Sequence, residues 1–182
     1  GSHIFDLARR EADIAVRFSR SKHDHLVVQR AAEVGFSLYG TEEYFARRPA
    51  PRSPEGLADH DIISPGTSEN DVEIQWLHRL ARRARVVFVS NLTLAIEAVA
   101  LTGAGLAVLP RYLGDSQPRL RRVPMPEEPS LTIWLTVHRD LQHTRRVRAV
   151  LDFLRATLRA DRELLSGARS AASPASSPAP SR

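Results

Sequence analysis

The 182-residue sequence contains no cysteine, one methionine and a single lysine, Lys22. Without cysteine there are no disulfides, iron–sulfur clusters, thiol nucleophiles or cysteine zinc sites. No run of about 18 apolar residues occurs, so no segment reads as a membrane-spanning helix. What is present is an ordinary globular mixture, 42% hydrophobic and 26% charged, too aliphatic for a chain disordered throughout. The net charge of +5 raises the question of nucleic acid. However, Arg accounts for every basic residue but Lys22, and the arginines are scattered in short clusters. That pattern reads as codon preference and solvated surface more than as a phosphate-binding face.

Two ends are set aside. Gly1-Ser2-His3 reads as the scar of a cleaved tag. From Ser166 to Arg182 the chain is nearly all Ser, Ala and Pro, and a disordered tail is expected there. The folded part is then about residues 4–165.

Within it, Ile14, Val16 and Phe18 alternate, as do the residues of Val34–Tyr39, and both read as strands. A helix end over Phe5–Glu11 feeds the first. Thr41 is placed to cap a short helix that Pro49 stops, and Ser53-Pro54 has the order of a helix start. Asp61–Ser64 is a brief strand that breaks at Pro65-Gly66. Residues 71–82 fit a helix or a strand with a turn. Arg85–Val89 is β-branched and aromatic, a strand, after which Ser90 or Asn91 can cap a helix carrying Leu92, Ala95, Ile96 and Val99. Gly103 ends that helix, Leu106–Leu109 is a buried strand, and Leu131, Ile133, Leu135 and Val137 alternate in another. Thr144 opens the clearest helix, with an apolar stripe of Val147, Val150, Leu151, Leu154 and Leu158. Strands alternating with helices predict an α/β fold with mostly parallel sheets, whose ligands sit beyond strand carboxyl ends.

Signs of bond-making chemistry are missing. No phosphate-cradling glycine motif and no Gly-x-Ser-x-Gly elbow occurs, and Gly103-Ala104-Gly105 fits a helix cap followed by a tight turn. His23-Asp24-His25 has no third ligand nearby in sequence. His138 and His143 read as surface residues, and the acidic pairs Glu42-Glu43 and Glu127-Glu128 as solvated beside turns.

Several stretches, taken in order, carry a resemblance. They are Asp6-Leu7 with Ala12–Phe18, Gly35–Tyr39 leading into Tyr44-Phe45 and Pro49, Pro54 with Leu57 and Asp59-His60-Asp61, and Val89-Ser90-Asn91-Leu92. Ala98–Ala100, Gly103–Pro110, Tyr112-Leu113, Leu135–Leu141 and Arg146–Leu154 complete the series. Residues 6–160 thereby resemble the effector-binding (substrate-binding) domain of LysR-type transcriptional regulators.

The resemblance implies an α/β fold of two Rossmann-like lobes joined by crossover strands, like a type 2 periplasmic binding protein. Lobe one is expected to comprise residues 4–35 and 128–165, and lobe two residues 36–127. A small effector, expected to be an organic anion, binds between the lobes and alters a homo-dimer or tetramer to control transcription. DNA is expected to be contacted only through an N-terminal winged helix-turn-helix, which is expected to be missing here. The family's first strand–helix–strand of lobe one is also expected to be missing, leaving an exposed edge and uncovered apolar surface. A cytoplasmic location, no membrane, no metal, no cofactor and no catalytic residues are expected.

Three segments are expected at the cleft. Ser64, Gly66 and Thr67 lie in a loop whose hydroxyls and N–H groups suit a carboxylate, though a plain turn explains them too. Asn91 and Leu92 open a helix whose N-terminus attracts anions, though capping also accounts for Asn91. Arg17 and Phe18 end a lobe-one strand, where Arg17 either pairs with an anion or points to solvent. The competing readings are a solute-binding protein of a transporter, an enzyme on a similar two-lobed fold, and a basic nucleic-acid module.

Overall fold

The computed structural model describes residues 13–21, 23–66 and 71–168. The expected helix end at Phe5–Glu11, the tag remnant, Thr67 and the chain from residue 169 onward lie outside these residues.

Seven strands and six α-helices form along the described chain. They are β1 (Ile14–Arg17), β2 (Leu26–Thr41), α1 (Glu42–Arg47), β3 (Asp61–Ser64), α2 (Val72–Leu80), β4 (Arg85–Val89) and α3 (Thr93–Leu101). There follow β5 (Leu106–Pro110), α4 (Arg111–Gly114), β6 (Leu120–Val123), β7 (Ser130–His138), α5 (Arg145–Ala160) and α6 (Arg162–Ser166). A 3-10 turn at Pro54–Asp59 precedes β3.

The sheet order is β1-β7-β2-β5-β3-β4, with β6 on β2 as well. β2 has 16 residues and belongs to two groups of strands. From Leu26 to Gly35 it pairs with β7, beyond which lies β1. From Phe36 to Thr41 it pairs with β5 and β6. β7 leads the chain back to the first group, so two long crossover strands join two bodies.

The expectation of mostly parallel pairing is corrected. Among the described residues only β3 pairs in parallel, with β4 and with β5, while the β1–β7, β2–β7, β2–β5 and β2–β6 pairs are antiparallel. Strand–helix alternation predicts parallel crossovers within one lobe. It does not register a crossover strand that must lie against its returning partner.

Apolar side chains collect in three cores. Phe36, Leu38, Tyr44, Leu57, Ile62, Trp76 and Val108 on one face of the second group join Ala32, Val34 and Ile133 of the crossover strands in the largest. Tyr39, Ile63, Ile96, Ala100, Ala107 and Leu109 fill its other face, under α3. The alternation of Leu38 and Tyr39 between these cores follows from the two-residue period of a strand. Leu135, Val137, Val147 and Leu151 form the third, under α5. Val150 departs from the predicted stripe and is exposed.

Local rules account for several boundaries. Thr41 caps α1, its hydroxyl accepting from the Tyr44 N–H at 3.2 Å. Gly103 (φ 71°) closes α3 in the left-handed region that glycine enters freely. α6 ends at Ser166, where the tail was expected to begin, and Gly167 (φ 70°) is its left-handed cap.

A buried polar chain supports the start of β3. The Asp61 N–H donates to the Tyr44 hydroxyl at 3.0 Å, so that hydroxyl's proton is directed to His60 Nδ1, 3.1 Å away. Nδ1 is then an acceptor and the imidazole neutral. Burial, and secondarily the Arg48 charge, hold His60 below its ordinary pKa. The unfolded chain therefore takes up this proton first, and stability is lost as pH falls below about 6.5. Urea melts are expected to show a lower midpoint at pH 5.5 than at pH 7.5, with a smaller loss in His60→Gln; equal losses would remove His60 as the cause. Next to it, the Arg85 hydrogen bond at 2.7 Å, aided by Arg48 at 3.1 Å, pulls the Asp61 carboxyl below the usual range. Its contribution is present above the unfolded carboxylate pKa and is lost in more acid solution.

Candidate functional site

The strand directions define a place where the two bodies face each other. β5 runs toward Phe36, because Ala107 pairs with Tyr39 and Pro110 with Phe36. β3 is parallel to β5, and β4 to β3, so the carboxyl ends of all three point toward the crossover. β1 runs the opposite way along β7, from Ile14 beside Val137 to Arg17 beside Trp134. Trp134 is itself paired with Arg30 of β2. The carboxyl end of β1 is thus directed from the first group toward the second. Strand carboxyl ends converging from two bodies make a ligand crevice in open α/β sheets.

The structure brings two of the three expected segments together. Ser64 closes β3 beside Val89 of β4, and the Ser90 N–H donates to the Ser64 carbonyl at 3.2 Å. Ser64–Gly66 and Ser90–Leu92 therefore form one rim. The Ser64 side chain is buried, and its hydroxyl donates to the Gly66 carbonyl at 2.9 Å. The hydroxyl oxygen retains accepting capacity, but its proton is held within the turn. Gly66 has φ 141°, a conformation that side-chain-bearing residues rarely adopt. Thr67 lies outside the described residues.

The cap assignment at α3 is corrected. Leu92 occupies the N-cap position and Asn91 makes no capping bond. Ser90 supplies the local hydroxyl instead, accepting from the Leu92 N–H at 3.1 Å. Asn91 and Leu92 are both exposed, so their polar and apolar surfaces face outward next to the start of α3. Sequence alone offered Ser90 and Asn91 as equivalent caps; neither side chain caps α3, and the Ser90 hydroxyl instead closes the turn before it.

On the facing side, Arg17 is half-buried at the end of β1 and Phe18 is 56% exposed. The register directs them toward the crossover. Cavities of about 470, 350 and 440 Å3 lie elsewhere: beside α1, beneath α5, and along the loop between β1 and β2. Among the described residues no cluster of three or more His, Asp or Glu is placed to hold a metal.

A polar cluster at the crossover was not legible in sequence. Glu128 accepts from Arg111 Nη2 at 2.5 Å, from the Met125 N–H at 3.3 Å and from the Ser37 hydroxyl. The expectation that Glu128 is solvated is therefore corrected: its side chain is 12% exposed and bound on both oxygens. Glu127, its neighbour, is exposed.

The chain matches the family model described as LysR substrate binding domain over residues 1–159. It is 28% identical over 114 residues to the HTH-type transcriptional regulator PgrR of Escherichia coli strain K12, a match covering 59% of this chain and 38% of PgrR. Among solved structures it resembles the CrgA regulatory domain, a LysR-type transcriptional regulator from Neisseria meningitidis, with a TM-score of 0.70 and 19% identity over 87% of this chain and 81% of that one. The effector domain of the transcriptional regulator AmpR of Pseudomonas aeruginosa gives a TM-score of 0.63 at 22% identity, covering 87% and 78% of the two chains. The fold is that of these regulatory domains, two α/β lobes of the type 2 periplasmic-binding-protein kind. Among the described residues no helix is long and apolar enough to cross a membrane. With the family model covering most of its length, this chain belongs to the LysR substrate-binding domain family.

Proposed function

We propose that the chain is the sensing part of a cytoplasmic LysR-type transcriptional regulator and binds a small organic anion in the crevice between its lobes. The observation that carries this reading is the convergence of the carboxyl ends of β1, β3 and β4 on the crossover. Ser64, Gly66, Thr67, Asn91 and Leu92 form the lobe-two side, and Arg17 with Phe18 the lobe-one side. Arg17 supplies positive charge, and the N–H groups in the first turn of α3, which has no side-chain cap, supply donors for a carboxylate. The lobe boundary near Gly35 and Phe36 is supported by the register: β7 pairing ends at Gly35 and β5 pairing begins at Phe36. No catalytic role is assigned to any residue. The output is a population shift, in which the anion favours one lobe arrangement over another.

Oligomerisation has a physical basis in two strands, β1 and β4, that end the sheet order among the described residues. At β4, Val86, Val87 and Val89 are exposed and adjoin Leu92 and Leu94. At β1, Val16 and Phe18 are exposed, as are Val150 and Phe153 of α5. Unpaired edges lined by large apolar groups favour association. DNA is reached through a separate helix-turn-helix segment of the whole regulator.

The test is Ser64→Ala together with Asn91→Ala in the whole regulator. The effector response is expected to fall by at least about tenfold while operator binding is retained, which corresponds to losing about 1.4 kcal/mol of differential affinity. An unchanged response rejects the site.

A further inference from the structure

We propose that α6 is a brace that fixes the angle between the lobes, with Arg111 as its positioning residue. α5 lies on the lobe-one core through Val147 and Leu151. Further along α5, Leu158 packs against both that core and the core that runs across the crossover, from Ala32, Val34 and Ile133 to Phe36 and Leu38, and Leu165 of α6 packs on the latter. The helix pair therefore spans the crossover.

Its far end is held by a bifunctional guanidinium. Arg111, the first residue of α4, donates from Nη1 to the Ser166 carbonyl at 2.7 Å and from Nη2 to Glu128 at 2.5 Å. Glu128 in turn holds Ser37 of β2 and the Met125 N–H between β6 and β7. One arginine thus links the last turn of α6 to β2 and to the segment that enters β7. Two glycines permit the approach. A Cβ on Gly35 would lie 2.9 Å from both Arg111 Cδ and the Ser166 carbonyl oxygen. A Cβ on Gly167 would lie 2.4 Å from Arg111 Cδ and 2.5 Å from Arg122 Nη2. Any change in lobe angle must move α5, which rides on lobe one, relative to Arg111, which is fixed in lobe two. The Arg111–Ser166 bond is the contact that opposes this shear.

The native chain lacks cysteine, so a pair of spin labels at Ala149→Cys on α5 and Arg82→Cys on lobe two reports the interlobe distance without background. Two alterations are compared in that labelled chain. Arg111→Lys keeps a cation for Glu128 but cannot also reach Ser166. Ending the chain at Ala160 removes α6 altogether. Both are expected to broaden the distance distribution roughly twofold relative to the parent. Amide exchange over residues 162–166 is expected to quicken by about tenfold in Arg111→Lys, with the strand cores unchanged. A distribution as narrow as the parent's in either chain, or unaltered exchange in α6, overturns the brace. No effector enters the measurement, so its failure would leave the ligand site standing.

Discussion

Gly105→Ala is expected to destabilise the fold by about 3 kcal/mol or more, a large share of the stability of an ordinary domain. A Cβ at this position would sit 2.5 Å from the Asp61 carbonyl oxygen and 2.9 Å from the carbonyl carbon. Those atoms are backbone, so no side-chain rotation relieves the clash. Relief requires β3 and β5 to separate, and this displaces a strand whose four residues are all buried. It also disturbs Asp61, which Arg48 and Arg85 hold from its side chain. Gly56→Ala is the control, since its nearest atom would be the Pro51 Cβ at 3.3 Å. Urea denaturation of the two variants should show a large loss for the first and less than about 0.5 kcal/mol for the second. Similar midpoints would mean that the two strands are not in contact as described.

Glu128→Ala is expected to cost about 3 kcal/mol. The loss comes less from the contact removed than from what remains behind it. Arg111 would keep its charge with its side chain only 22% exposed, and the Ser37 hydroxyl and Met125 N–H would lose their acceptor. Breaking one side of such a pair is costly because the other charge stays desolvated. Glu128→Gln keeps one of the two acceptor oxygens but gives up the charge and turns the other oxygen into an N–H donor, so its loss is expected to be smaller, about 2 kcal/mol. The comparison is made on folding free energies from urea melts at neutral pH. A loss below about 1 kcal/mol in Glu128→Ala would show that this cluster is solvated and does not hold the crossover together.

The uneven legibility of the sequence has a physical pattern. β1, the second half of β2, β5 and β7 were readable because each alternates or runs apolar against a core that it faces. The first half of β2 was not. It has Val27 and Val28 side by side, then Gln29 and Arg30, and the register shifts between Arg30 and Ala32. A bulge there destroys the two-residue period from which strands are read. β6 was hidden for another reason, as Arg121 and Arg122 interrupt a four-residue strand that exists because β2 offers it an edge. α2 resolved into a helix once Ile74, Trp76 and Leu77 had a core to enter.

The site divides along the same line. Ser64 and the segment opening α3 were identifiable from turn and helix-start chemistry, which is local. That Ser90, and not Asn91, satisfies the Leu92 N–H depends on the bend between β4 and α3. The role of Glu128 was invisible because its partners are Arg111, 17 positions away, and Ser37, 91 positions away. An acidic residue beside prolines carries no local mark of such burial.

The claim that a ligand is held jointly by both lobes is tested most directly by mapping backbone amide shifts while small organic carboxylates are titrated into the isotopically labelled chain. The account predicts saturable shifts that appear together at Arg17 and Phe18, at Ser64–Gly66 and at Ser90–Leu92. Saturable shifts confined to one lobe, or centred on the cavity beneath α5, would contradict it.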